Sequence, residues 1–143
     1  MYDPVIDFHF QRSIIRIPNR KQLGNFIKKI FENEGKSINS LNIIFCSDKF
    51  LLNINQKYLS HDFYTDVITF NLSDSEELIG EIYISVERIR ENVKLLDIDI
   101  SQELLRVIFH GILHLCGYKD KLKTEKKIMI LKENYYLKKW KTQ

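Results

Sequence analysis

His110-Gly-Ile-Leu-His114-Leu-Cys-Gly117-Tyr-Lys-Asp120 is the stretch on which the reading of this chain turns. His110 and His114 are four residues apart, so on a helix their imidazoles lie one above the other on a single face. Gly117 follows where a helix end often needs a left-handed residue, and the turn it permits can carry Asp120 back toward both imidazoles. Two neutral nitrogens and one carboxylate suit one Zn²⁺ ion and leave a fourth position for water. Water on such an ion loses a proton near neutral pH and becomes a nucleophile. His-x3-His alone is a weak signal, because two histidines can also pack on a buried helix with each satisfied by a hydrogen bond. The glycine and the third candidate ligand are what strengthen it. Zinc proteases of similar spacing carry their general base, a Glu, directly after the first His; position 111 here is Gly. Cys116 stands two residues after His114, points off that helical face and reads as a core thiol.

Outward from this stretch, Ser101 is placed to cap a long apolar helix that runs through Leu104, Leu105 and Ile108 to Cys116. A final helix is expected over residues 124–139, with Ile128, Leu131 and Tyr135 as its apolar side. Upstream, residues 6–11 alternate apolar and polar, the period of a half-buried strand. Asn19 caps a helix over 20–34 whose stripe is Leu23, Phe26, Ile27, Ile30 and Phe31, and Gly35 stops it. Residues 41–46 read as a second strand, and Ser47 caps a helix through Tyr58. Residues 67–71 and 78–85 are rich in β-branched and aromatic side chains and read as strands; a helix follows over 86–96. Four strands and about five helices in mixed order predict an α+β fold, a small mixed four-stranded sheet packed with about five helices, as one domain over 1–143.

The composition agrees: 143 residues with 44% hydrophobic and 29% charged side chains are ordinary for one globular domain. No apolar run approaches the ~20 residues a bilayer demands, and the N-terminus lacks the pattern of a secretory signal. With only two cysteines, a soluble cytoplasmic protein is the expectation. Residues 119–143 hold nine Lys against three acids, whereas the rest of the chain is net acidic. Such a segment can hold a polyanion through its phosphates, or be only the solvated face of a helix.

The block His-Gly-x-Leu-His-Leu-x-Gly-Tyr at 110–118 resembles the signature of the bacterial YbeY family, rRNA maturation factors described as metal-dependent single-strand endoribonucleases. Asn55-Gln-Lys-Tyr58-Leu-Ser-His-Asp62-Phe-Tyr-Thr65-Asp66-Val-Ile-Thr-Phe70 is similar to a second family block, and Gly80-Glu-Ile-Tyr-Ile-Ser85 to a third. The blocks stand in the family's order and span nearly the whole chain. The resemblance implies a zinc-dependent endoribonuclease acting on single-stranded rRNA precursors, in late 16S rRNA 3′-end processing and ribosome quality control, with ribosomal particles as partners. The chain departs from the family twice. The third ligand, usually His, is Asp120, and the Arg that follows the tyrosine and serves the phosphodiester is Leu59. Leucine donates nothing to a phosphate, so Arg106, one turn before His110, and Lys57 are the catalytic candidates; Arg106 has an equal structural reading as the partner of Glu103 or another acid. Thr65 and Asp66 read as pins of the loop before residue 67, His61 and Asp62 as turn residues, and His9 as a packed or surface residue. The competing functions are another zinc hydrolase such as a peptidase, or a ribosome assembly factor whose zinc is structural.

Overall fold

The computed structural model describes residues 3–59 and 65–143. β1 (Val5–Phe10), β2 (Ile38–Cys46), β3 (Val67–Asn71) and β4 (Leu78–Ser85) form one sheet in the order β1-β2-β4-β3. β1 is parallel to β2 and β2 to β4, whereas β3 pairs antiparallel with β4. Parallel neighbours need crossovers, which α1 (Arg20–Asn33) provides between β1 and β2. α2 (Asp48–Leu59) lies between β2 and β3, and α3 (Val86–Leu96), α4 (Ile100–Leu115) and α5 (Lys123–Thr142) follow the last strand. This is the mixed four-stranded α+β architecture that the pattern predicted. No helix among the described residues is long and apolar enough to cross a membrane.

Alternation along β4 separates the faces of the sheet. Ile82 and Ile84 enter the main core with α1, α4 and α5, while Tyr83 joins Phe50, Leu51, Ile54, Ile68 and Phe70 in a smaller cluster under α2. α2 and α4 therefore cover opposite faces. α4 presses close to its strands at Gly111, where a Cβ would stand 2.9 Å from Ile82 Cγ2 and 3.3 Å from Val67 Cγ2. Position 111 thus faces the sheet, which explains why no carboxylate base stands beside His110 there.

Two expectations need correction. α4 is capped by Asp99 rather than Ser101: Asp99 Oδ2 accepts from the backbone N–H of Ser101 at 3.0 Å and of Gln102 at 3.3 Å. A carboxylate there satisfies two orphan donors and meets the positive end of the helix. The larger revision concerns α5. Its expected apolar side, Ile128, Leu131 and Tyr135, is 47%, 68% and 48% exposed, while Met129, Glu133, Tyr136 and Leu137 are buried. Both sets have helical spacing, and apolar and charged residues are so mixed round α5 that packing against α4, not pattern, selects the inner one.

Candidate metal centre

α4 presents His110 and His114 from one face and ends at Leu115. Gly117 then takes φ 104°, and Tyr118 N bonds back to Leu113 O at 3.1 Å. This left-handed residue turns the chain so that Asp120 meets the imidazoles. His110 Nε2 and His114 Nε2 are 3.0 Å apart, and Asp120 Oδ2 lies 3.2 Å from the first and 3.3 Å from the second. Ligand atoms arranged tetrahedrally at zinc's bond lengths of about 2.0–2.1 Å stand roughly 3.3–3.4 Å from one another, so the triangle has close to the required size.

The remaining ring nitrogens decide what the triangle accepts. His110 Nδ1 lies 2.5 Å from Glu133 Oε2, and His114 Nδ1 lies 3.0 Å from the backbone oxygen of Tyr118. A carboxylate and a carbonyl are acceptors only, so both Nδ1 atoms carry the proton and donate it. Each Nε2 is left with a lone pair facing the other and the Asp120 carboxylate. Three lone pairs at this distance repel unless a cation sits among them. A proton is one competitor: burial works against a charged imidazole, but the bond and charge of Glu133, with Asp66 and Asp120, outweigh it and raise the pKa of His110. A divalent ion that takes neutral imidazole and carboxylate fits the same donors, and among the described residues these three form the one cluster able to hold a metal.

The family model described as "Endoribonuclease YbeY" matches residues 7–141. This chain belongs to the YbeY family. An endoribonuclease YbeY of Flavobacterium psychrophilum is 47% identical over 114 residues, covering 80% of this chain and 81% of that protein. Its counterpart in Karelsulcia muelleri is 44% identical over 133 residues, covering 93% and 94%. The solution structure of a Thermotoga maritima protein shares 30% identity and superposes with a TM-score of 0.58, covering 96% of this chain and 92% of its own.

Behind the YbeY histidines lies a polar network that the sequence reading missed. Glu133, on α5 and 4% exposed, is the carboxylate that orients His110, and it also stands 3.5 Å from Arg106 Nη1. Arg106 donates to the fully buried Glu103 through Nε at 2.7 Å and Nη2 at 2.6 Å, and lies 3.5 Å from Asp66. Asn92 Nδ2 donates to Glu103 at 2.9 Å. The Glu103 bonds lead the causes that raise the Arg106 pKa above its ordinary value despite burial, so the guanidinium stays charged. The signal for Glu133 was a lone carboxylate four residues after Met129 and three before Tyr136, on a stripe otherwise apolar.

The other candidates fall elsewhere. Lys57 is on the last turn of α2 with its ammonium 5.3 Å from the centre of the Tyr58 ring, on the sheet face opposite α4. It is not brought together with the histidines. Leu59 ends α2, 40% exposed. Asp66 accepts from Ser85 N at 3.0 Å through its carbonyl, and Thr65 Oγ1 reaches Val67 O at 3.5 Å. His61 and Asp62 lie outside the described residues. His9 Nε2 pairs with Asn42 Oδ1 at 2.7 Å, on the β1–β2 pair and away from the ligands. Cys116 is buried, and burial pushes its thiol up to about 12.

Proposed function

We propose that this chain is a zinc-dependent endoribonuclease that hydrolyses phosphodiester bonds in single-stranded RNA, acting in the cytoplasm on rRNA precursors and ribosomal particles. One observation carries the reading: two imidazoles whose Nδ1 protons are fixed by acceptors, and one carboxylate, converge at 3.0–3.3 Å. Bound there, zinc supplies Lewis acidity and a hydrolytic water active at neutral pH. The relatives named as endoribonucleases supply the substrate class.

His110, His114 and Asp120 hold the ion, and Glu133 and the Tyr118 carbonyl keep both ligand nitrogens deprotonated and aimed. Asp120 in place of a third neutral ligand lowers the net charge of the site by one unit. Arg106 is the candidate for contacting the phosphodiester: Glu103 takes two of its five N–H donors at hydrogen-bond distance, and Asp66 and Glu133 stand farther off at 3.5 Å as competitors a phosphate would have to displace. Lys126, Lys127, Lys138 and Lys139, exposed along α5, are available for phosphate contacts farther along the strand. Three described ligands leave a position open, which favours a hydrolytic over a structural ion, since structural zinc sites are normally closed by four protein ligands.

The test is metal analysis and RNA cleavage on one preparation. Wild type should carry about one zinc per chain, and His110→Ala should lose both the metal and the cleavage. Cleavage that persists in His110→Ala, or zinc retained there in full, removes this site from the reaction. Zinc bound stoichiometrically with no cleavage of rRNA precursors, but with binding to ribosomal particles, would favour the assembly-factor reading.

A further inference from the structure

On the sheet face opposite the metal ligands, α2 and the β3–β4 hairpin enclose a half-open cleft of about 370 Å³. We propose that this cleft is an RNA subsite that holds one unstacked nucleobase bearing an exocyclic amino group; this rests on the RNA reading above. Among the described residues, four aromatic rings line its walls. Tyr83 stacks near Phe50 at 6.4 Å between centroids and meets the edge of Phe70 at 5.9 Å, and Tyr58 stands edge-on to Phe70 at 5.9 Å. At the mouth, Tyr58 is 62% and Leu72 57% exposed. Rings around an open apolar slot are what an unpaired base stacks on, whatever its sequence.

The polar contents narrow the ligand. Among the described residues Glu81 is the one carboxylate in the lining, and its Oε1 accepts from the Tyr83 hydroxyl at 3.1 Å. Its second oxygen and remaining lone pairs can accept N–H donors from the edge of a base. Cytosine N4, adenine N6 and guanine N1 and N2 offer such donors, whereas uracil offers one N–H between two carbonyl oxygens that a carboxylate repels.

Charge on the rim matches a backbone rather than an apolar peptide. Lys57 sits over the outer ring, Tyr58, at one end. At the other, Phe50 is shared with a smaller cleft that Arg12 and Lys49 line and that, among the described residues, no acidic one enters. The arrangement is one acceptor inside and cations outside, which suits a base inserted between flanking phosphates. Tyr58 and Phe70 belong to the sequence block 55–70, of whose described residues only Asp66 reaches the network behind the histidines. β3 is the outer strand of the sheet and only five residues long, so a chain touching both the cleft and the histidines must bend round it. A flexible single strand can do this and a duplex cannot, which gives single-strand preference a physical cause.

The experiment titrates the zinc-loaded protein with the oligoribonucleotides rC6, rA6 and rU6, following tyrosine fluorescence, and records zinc content and RNA cleavage on the same samples. Wild type should bind rC6 and rA6 more tightly than rU6. Tyr58→Ala, at an exposed site that leaves the core intact, should weaken all three by about 5- to 150-fold, the factor carried by base–aromatic stacking. Glu81→Gln should shrink the gap between rU6 and the other two, and both variants should keep wild-type zinc. Unchanged affinities in both variants overturn the subsite, even if zinc and cleavage are as proposed. The same holds if hexamer binding is untouched and the variants lose association with a purified ribosomal protein instead. Cleft-dependent hexamer binding without zinc or cleavage would leave the subsite standing and remove the nuclease reading.

Discussion

α4 and α5 pack against each other and both serve the proposed metal centre, but they are held in different ways. α4 buries Leu104, Leu105, Val107, Ile108, Phe109, Ile112 and Leu113 beside one carboxylate, Glu103, whose main partner Arg106 lies on the same helix, and turns its histidines outward. α5 buries a carboxylate, Glu133, and leaves Ile128, Ile130, Leu131 and Tyr135 in solvent. α4 is therefore held by apolar area, largely independent of the site. α5 is held by a few apolar residues together with polar ties: Glu133 to His110 and Arg106, and Tyr136 and Lys132 to Glu34. A helix anchored this way answers to the state of the site, and its inner face cannot be chosen for hydrophobicity alone.

The largest expected effect separates the two stripes of α5. Met129→Ala should cost about 2–5 kcal/mol in chemical denaturation, because it opens a cavity against α4. Leu131→Ala should stay within about 0.5 kcal/mol, as a surface change does. Equal costs would mean that α5 does not present the inner face described above. Next comes Glu133→Leu, which gives α5 the amphipathic pattern it lacks. Zinc affinity should fall about 10- to 100-fold, as when the partner of a ligating histidine is lost. Unchanged zinc affinity would reduce Glu133 to a packing residue. Zinc should also slow amide exchange in α5 more than in α4, since only α5 depends on contacts to the site for its anchoring. Equal slowing in both helices would break the contrast.

The same contrast explains what could be read in advance. The strands, α1 and α4 are legible because burial dominates them: their apolar period matches their geometry and Gly117 marks the turn to Asp120. The ligand trio His110, His114 and Asp120 is local, within eleven residues, so spacing alone suggested it. Glu133, the Tyr118 carbonyl and the cap at Asp99 are not legible that way. The first depends on which side of α5 meets α4, the second is a backbone atom with no sequence signature, and the third lies two residues before Ser101, the cap that the pattern suggested. Arg106 was read with its partner Glu103 in view, but the ties to Asp66 and Glu133 are tertiary and leave no periodic trace.

The smallest predicted effect comes from Glu34, which clasps the end of α1 to α5 and to the turn after α4. It accepts from the hydroxyls of Tyr118, at 2.6 Å, and Tyr136, and from Lys132 at 3.2 Å. Burial alone would raise its pKa, but these three bonds and the charge of Lys132 prevail and hold it below the ordinary value of 4.5. A carboxylate depressed in the folded state contributes stability that is present above its unfolded pKa and lost as pH falls through the folded one. Glu34→Gln keeps the shape and removes the charge, so it should cost about 1 kcal/mol near neutral pH. That difference from wild type should shrink as unfolding is measured from pH 6 down toward pH 3, and a constant difference would show that the clasp draws nothing from ionisation. Because Tyr118 carries the carbonyl that holds His114 Nδ1, the variant should also lose some zinc affinity, by less than tenfold and less than Glu133→Leu. A larger loss would mean that α1, and not α5, is the helix that sets the ligand geometry.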